Sequence, residues 1–350
     1  MSKSDTTKEL VGVIGAGSFG TAISNLIAYN TNVLLFSRQP ELVERINQSH
    51  HHLGVDLSKR IRATNDLQEL GERCRLIFPI VPSGSFRQMM KNLSVYLRPY
   101  HILIHGTKGL DLTGVEEDRL GEQVLLRKHV HTMSEVIRQE SVVVRVGCLS
   151  GPNLSAEIME GQPTATVIGS KFSEVIKNGR RVLDSPQFHV FGSYEILGAE
   201  IAGALKNSVA IGSGILGGLG LGKNIQAMLI TRGLMEMVNL GKAMGTNSRA
   251  FIGTAGIGDL VATATSTKSR NYTFGTRLAQ GESMEHIRAT MPELAEGVRT
   301  IRIMRQLAKH FKLHVPITEM LYAVVFEGFD VQRAIKYLMN YPYAVDVDFL

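Results

Sequence analysis

Apolar residues come in two rhythms along this chain. Up to about Tyr194 they form short runs separated by polar, helix-like stretches: Leu10–Ile14 (LVGVI), Asn32–Phe36 (NVLLF), Leu76–Val81 (LIFPIV), His101–Ile104, Ser141–Val146 (SVVVRV), Thr164–Ile168 and His189–Phe191. Unbroken runs bounded by turn residues read as strands buried on both faces, as in a parallel sheet. Pro79 has no amide donor and weakens the third run as a strand. Asp111–Val136 is polar and reads as loop followed by helix. Beyond Tyr194, Gly, Ala, Leu and Met dominate and helical spacing replaces the runs. The pattern predicts an α/β protein: a doubly wound sheet over residues 1–193, then an all-helical domain over residues 194–350.

The turn after the first run carries the first chemistry. Gly15-Ala16-Gly17-Ser18-Phe19-Gly20 follows Ile14 at once, and TAISNLIAY then reads as a helix. Gly15 permits a tight turn, Gly17 lets backbone approach a pyrophosphate at the helix N-terminus, and Gly20 lets helix and strand pack closely. This predicts a Rossmann-like dinucleotide-binding domain; the bland alternative is a glycine-rich turn with no ligand. The second run ends in Ser37-Arg38-Gln39, without the carboxylate that would take a ribose 2′-hydroxyl. Arg38 faces a 2′-phosphate in one reading, and stacks on adenine or points to solvent in another. The cofactor expected is NAD or NADP, with NADPH at least as good as NADH. His50-His51-His52 is a weak metal candidate, because consecutive side chains diverge. A solvated loop or helix end is expected there.

The most unusual stretch is Glu200–Gly222, EIAGALKNSVAIGSGILGGLGLG, nearly all apolar or small yet holding Lys206 and Asn207 at its middle. As a helix it places Lys206, Ala210 and Gly214 on one face, where another backbone or a ligand can come close. A lysine there is either desolvated, with its pKa lowered toward proton-transfer range, or snorkels to water. Other polar groups sit at turns. Thr107 and Lys108 follow a run at the ligand-binding end of such a sheet. Leu149–Ser155 reads as a tight turn opening a helix, with Asn153 or Ser155 near its start. Gly253–Asp259 is a second glycine-rich turn that places Asp259 at a helix boundary. Thr263, Thr265, Ser266, Thr267 and Ser269 then lead into Arg270-Asn271, a donor-rich segment that suits a phosphate or is simply solvated. Leu294–Val298 precedes another helix, and Tyr341–Leu350 looks irregular.

Composition narrows the class. The 350 residues suffice for two cores, with 44% hydrophobic and 20% charged residues as in a soluble globular protein. The net charge of +6 is spread without long basic runs, so no nucleic-acid surface is expected. Cys74 and Cys148 form no CxxC and fit free thiols in a reducing compartment. The polar N-terminus shows no secretory signal, and Glu200–Gly222 is too interrupted to span a membrane. A cytoplasmic protein without membrane insertion is expected, and no cluster has metal-ligand spacing.

Together these stretches resemble the bacterial-type NAD(P)-dependent sn-glycerol-3-phosphate dehydrogenase family. The motifs are GAGSFGTA, VPS, GTKG, SGPN, KNSVAIGSGILGGLGLGKN, TRGLMEM, GTAGIGDLVATATSTKSRNYTFG and AEGVRT, in the family's order from Val13 to about Pro316. The resemblance implies a Rossmann-like domain and a helical domain with the active site between them, and interconversion of dihydroxyacetone phosphate and sn-glycerol 3-phosphate for glycerophospholipid synthesis. It makes Lys206 the catalytic proton donor or acceptor, supported by Asp259, with Lys108 beside the substrate. Gly151 and Asn153 would line the substrate site, while Ser269, Arg270 and Asn271 would hold the phosphate. Ser18, Phe19, Arg38, Lys108, Ser155, Arg270 and Glu296 would contact the cofactor. Phe36 stands where the family often has tryptophan, Asn153 where Ser or Thr is common, Ser155 where Ala is common, and the TATS segment lacks the usual cysteine. The resemblance thus leads one to expect a small phosphorylated substrate, and the reading admits a homodimer. Two rivals share features: a dehydrogenase of the 3-hydroxy-acid or ketopantoate type, and a nucleotide-sensing scaffold, which would be expected to lose Lys206 or Asp259.

Overall fold

The protein was analysed as a computed structural model that describes residues 9–116, 120, 125–291, 295–342 and 346. The readings made above for the first eight residues, for Leu294 and for most of Tyr341–Leu350 lie outside the described residues.

The strands along the chain are β1 (Leu10–Ile14), β2 (Asn32–Phe36), β3 (His51–His52), β4 (Val55–Asp56), β5 (Ile61–Thr64), β6 (Leu76–Pro79), β7 (Ile102–His105), β8 (Asp111–Leu112), β9 (Val130–His131), β10 (Arg145–Ser150), β11 (Thr164–Ser170) and β12 (Phe188–Ser193). Eight of them form one sheet in the order β12-β11-β10-β7-β6-β1-β2-β5. The pairings of β1 with β2 and β6, β2 with β5, β6 with β7, β7 with β10, and β11 with β12 are parallel. The chain winds outward from β1 in both directions, which is the doubly wound, Rossmann-like arrangement expected from the runs. The runs are continuous rather than alternating because both faces of the sheet are buried: Val11, Val13, Leu35 and Phe78 pack on one side, and Ile14, Leu34, Ile77 and Leu103 on the other.

Three segments differ from the sequence reading. Of Ser141–Val146 only Arg145 and Val146 are strand; β10 begins at Arg145, paired with Ile102. The Ser141 hydroxyl donates to the Ile137 carbonyl at the end of helix Met133–Glu140, and Val142 and Val144 are exposed. The strand instead takes in Gly147, where a Cβ would stand 2.8 Å from Val175 Cγ1, so a glycine hidden from hydrophobic patterning lets helix Ser173–Leu183 pack down. Leu149 and Ser150, read as turn, complete β10. The LIFPIV run stops as a strand at Pro79, where a missing donor costs little, and Ile80 resumes bonding to the Ile14 carbonyl at 2.8 Å. Within Asp111–Val136, β8 and β9 pair antiparallel before the helix begins at Met133.

The chain forms two compact units that are not consecutive in sequence. The first comprises Met1–Thr107, Met133–Leu149 and Ser155–Ile196; the second comprises Lys108–Thr132, Ser150–Leu154 and Leu197–Leu350. Among its described residues the second is mainly helical, with β8, β9 and the last residue of β10 as its strand residues. Its central helix, Ile196–Gly218, is apolar all round and therefore buried on all sides. Gly214 and Gly275 make a close crossing: a Cβ on Gly214 would lie 2.0 Å from the Tyr272 carbonyl oxygen, and one on Gly275 2.0 Å from that of Ile211. In the same unit the buried Glu236 caps helix Pro316–Phe326 from outside. Its carboxylate accepts from the amides of Ile317 (2.6 Å) and Thr318 (3.0 Å) and from the Thr318 hydroxyl (2.7 Å).

Candidate active site

In the second unit, three charged side chains from distant parts of the chain converge. Helix Ile196–Gly218 carries Lys206, whose side chain is 6% exposed. The π-helical turn Thr254–Gly258 leads into helix Asp259–Thr265, and a Cβ on Gly256 would lie 2.2 Å from the Phe251 carbonyl oxygen, so the turn needs glycine there. This turn delivers Asp259, 1% exposed, beneath Lys206. The Lys206 ammonium donates to Asp259 Oδ1 at 2.8 Å and to the Thr263 hydroxyl. Thr263, one turn after Asp259, donates to the Asp259 carbonyl at 2.7 Å. Lys108 Nζ donates to the other carboxylate oxygen, Asp259 Oδ2, at 2.6 Å and to the Gly151 carbonyl at 2.7 Å. Gly151 adopts φ +139°, a conformation open to glycine. Gly203 gives Lys108 its path: a Cβ there would touch the Lys108 stem at 3.8 Å and the Ser150 hydroxyl at 3.0 Å.

One carboxylate thus serves two ammonium groups. Burial pushes the Lys206 pKa down to about 8; Asp259 opposes this, while Lys108 and Arg270 add to it. Desolvation outweighs the carboxylate, the contest that the sequence left open, so the ammonium form is less favoured than in an exposed lysine.

The other candidates in this unit divide by exposure. Arg270 is exposed at the first position of helix Arg270–Ala279 and lies within electrostatic reach of Lys206. Ser269 is buried and caps that helix by accepting from the Tyr272 amide at 3.4 Å. Asn271 is buried too: its amide donates to Asn207 Oδ1 at 2.9 Å and accepts from the Gly297 amide at 2.9 Å. The Ser269 hydroxyl therefore caps its own helix, the Asn271 amide fastens three helices together, and Arg270 is the exposed member of the trio. A Cβ on Gly297 would lie 2.4 Å from the Asn207 carbonyl oxygen, which sets the start of helix Glu296–Phe311, and with it Glu296, against the Lys206 helix. Asn153 is buried in the segment after β10. From sequence, Asn207 was not singled out as a site residue, and Thr263 was read only as part of the donor-rich segment before Arg270, not as a partner of Lys206. The signals were present: Thr263 is four residues after Asp259 on one helix, and Asn207 is polar in an apolar stretch.

In the first unit, the glycine loop fits a dinucleotide. Gly15 has φ +113°, and a Cβ on it would lie 2.1 Å from the Ile80 carbonyl oxygen; a Cβ on Gly20 would lie 1.8 Å from that of Gly15. Gly17 stands at the N-cap of helix Ser18–Asn30 and brings no side chain of its own, so the helix end favours an anion. Ser18 and Phe19 open that helix, and a Cβ on Gly106 would be 2.9 Å from the Phe19 ring. Arg38 is exposed just past β2, and Ser155 begins helix Ser155–Met159. The histidine triplet meets the expectation of a solvated loop or helix end at His50 and His51 but not at His52. His50 ends helix Pro40–Ser49 and His51 is exposed, but His52 is buried on β3, because β3 and β4 fold back as a hairpin.

Cys74 and Cys148 are free and buried. Among the described residues, no group of three or more His, Cys, Asp or Glu is placed to hold a metal ion, and no helix is long and apolar enough to cross a membrane.

Comparison with known proteins adds independent findings. Residues 10–176 match the family model for the NAD-dependent glycerol-3-phosphate dehydrogenase N-terminus, and residues 195–336 match that for its C-terminus. The chain is 37% identical to a glycerol-3-phosphate dehydrogenase [NAD(P)+] of Saccharophagus degradans, over 98% of this chain and 93% of that protein. It is 36% identical to the protein of the same name from Azotobacter vinelandii, over 98% of each. Among solved structures it is similar to a glycerol-3-phosphate dehydrogenase from Coxiella burnetii, with a TM-score of 0.85, 28% identity, and 95% and 99% of the two chains covered.

Proposed function

The chain belongs to the NAD-dependent glycerol-3-phosphate dehydrogenase family, and we propose that it interconverts dihydroxyacetone phosphate and sn-glycerol 3-phosphate using NADH or NADPH. The observation that carries this reading is the cluster of buried Lys206 and Asp259 with the partly buried Lys108. A nicotinamide cofactor, when bound, supplies or accepts the hydride at the carbon being reduced or oxidised. The protein must manage the charge on the oxygen. As hydride reaches the ketone carbon, negative charge grows on its oxygen; the Lys206 ammonium stabilises that charge and delivers the proton. In the reverse direction the neutral amine takes the hydroxyl proton. A pKa of about 8 keeps both forms accessible near neutral pH. Asp259 aims the Lys206 ammonium and anchors Lys108, whose charge also faces the substrate.

In the first unit, Gly15, Gly17, Ser18, Phe19, Gly20 and Arg38 make the cofactor site, joined by Ser155. In the second, Lys108, Gly151, Asn153, Lys206, Asp259, Ser269, Arg270 and Asn271 make the substrate site, with Arg270 as the phosphate's charged partner. Lys108, Arg270 and Glu296 also serve the cofactor. Residues 1–193 thus supply dinucleotide binding, and residues 194–350 most of the catalytic groups. A cytoplasmic homodimer feeding glycerophospholipid synthesis accompanies the reading.

The test is the change in nicotinamide absorbance with dihydroxyacetone phosphate, run against unphosphorylated dihydroxyacetone and ketopantoate. Turnover confined to the phosphorylated ketone supports the proposal. Turnover of ketopantoate without turnover of dihydroxyacetone phosphate overturns it. Lys206→Ala should lower turnover by roughly a hundredfold to ten-thousandfold.

A further inference from the structure

We infer that His52 is a positioning residue for the glycine-rich loop: its buried imidazole holds the Ala16 carbonyl and thereby sets the direction of the Gly17 amide at the start of helix Ser18–Asn30. The inference rests on the reading that this loop cradles a nicotinamide cofactor.

His52 is 7% exposed, and its Nε2 lies 2.8 Å from the Ala16 carbonyl oxygen. A carbonyl oxygen only accepts, so Nε2 carries the proton and donates. The Ala16–Gly17 peptide is planar and trans, so its C=O and the Gly17 N–H point in opposite directions. Holding the carbonyl on the His52 side therefore turns the Gly17 amide to the other side. That plane turns about Ala16 ψ and Gly17 φ, and Gly17, without a Cβ, leaves the second of these torsions with little steric restraint of its own. A peptide that leads into a glycine can rotate unless something outside the loop fixes it.

The segment that carries His52 is built to do this. His52 pairs with Val55 across the β3–β4 hairpin, whose turn is Leu53-Gly54 with φ +51° and +76°. His50, two residues before, has φ +45°. Two non-glycine residues in left-handed backbone within four positions store strain, which persists where the surrounding structure over-determines the geometry. The far end of the hairpin is tied to the helix that the loop begins. Asn25 donates to the Asp56 carbonyl at 3.1 Å and accepts from the Ser58 amide at 3.1 Å. The hairpin is therefore braced on helix Ser18–Asn30 through Asn25 and presses His52 against the loop at the helix's N-terminal end.

The test is direct fluorescence titration of NADPH into the full-length protein, with turnover measured separately. His52→Phe keeps a ring without a donor. His52→Gln places an amide nitrogen about where Nε2 lies, and His52→Asn places it about where Nδ1 lies. Loss of the donor should weaken NADPH in His52→Phe and His52→Asn by roughly fivefold to thirtyfold, the effect of one buried hydrogen bond. His52→Gln should recover most of the affinity, and KM for the cofactor should move more than kcat. Wild-type affinity in His52→Phe overturns the inference, as does equal weakening in the Gln and Asn variants. Should His52→Phe fail to fold, the Gln and Asn pair decides, since both are polar and of similar bulk. Failure of the wild-type protein to bind NADPH would instead sink the functional reading on which the inference rests.

Discussion

Replacing Asp259 with asparagine removes one charge, nearly preserves shape, and strips two ammonium groups of their shared partner. A pair of opposite charges about 4 Å apart attracts by roughly 4 kcal/mol at an effective dielectric constant near 20, equivalent to about three pH units. Desolvation and the Lys108 charge remain in the variant, and both lower the Lys206 pKa. That pKa should therefore fall from about 8 by roughly one to three units. In the direction of ketone reduction the ammonium is the active form, so activity is lost as pH rises through the Lys206 pKa. The falling limb of the kcat profile with dihydroxyacetone phosphate and NADPH should move from near pH 8 in the wild type to between about pH 5 and pH 7 in Asp259→Asn. Stability follows from linkage. A lysine depressed below its unfolded value contributes stability above the unfolded pKa and loses it as pH falls through the folded pKa. Deeper depression in the variant enlarges that loss at low pH, by about 1.4–4 kcal/mol for a shift of one to three units. Thermal melts of the two proteins should thus diverge as pH falls below about 8, reach a constant difference below about pH 5 to 7, and converge toward about pH 9. A falling limb that stays put, or a melting difference independent of pH, refutes the assignment of Asp259 as the group that sets the Lys206 charge.

The remaining predictions concern recognition and packing. Arg270→Ala should raise KM for dihydroxyacetone phosphate more than tenfold while changing rates with unphosphorylated dihydroxyacetone much less; equal losses against both ketones show that Arg270 does not read the phosphate. Arg38→Ala should weaken NADPH by about tenfold to a hundredfold, the worth of one charge-assisted hydrogen bond less its exposure, and NADH less. Equal weakening of both cofactors in a binding titration shows stacking on adenine instead. Glu236→Gln should destabilise the protein by about 1–3 kcal/mol, because an amide NH2 replaces one acceptor facing the donors of Ile317 and Thr318. Burial raises the Glu236 pKa from 4.5 to about 7, so its protonated form is favoured by folding and its contribution fades as pH rises through that window. The wild type should lose stability between about pH 5 and 7 in melting scans, and a variant with the same slope refutes the role.

The sequence by itself determined the fold class, because strand runs and helical spacing are local periodicities that survive without knowledge of neighbours. It also marked the glycine loop after β1, the dehydrogenase-like motifs, and Lys206 as a charge out of place among small residues. Tertiary structure alone decided what those residues experience. Lys108 and Asp259 are 151 positions apart, and nothing near either one specifies their 2.6 Å contact. The state of Lys206 depended on weighing desolvation against a carboxylate and a second lysine, a balance set by burial rather than by residue type. The start of β10 at Arg145 was settled by pairing with Ile102 and by the helix that Gly147 admits, although the valines before it look more strand-like. His52 likewise appeared to be one of three solvated histidines until a hairpin with left-handed backbone turned its ring inward. Pattern specifies which segments seek a core; which polar group lands beside which is decided by how those segments pack, and the chemistry of this protein rests on those contacts.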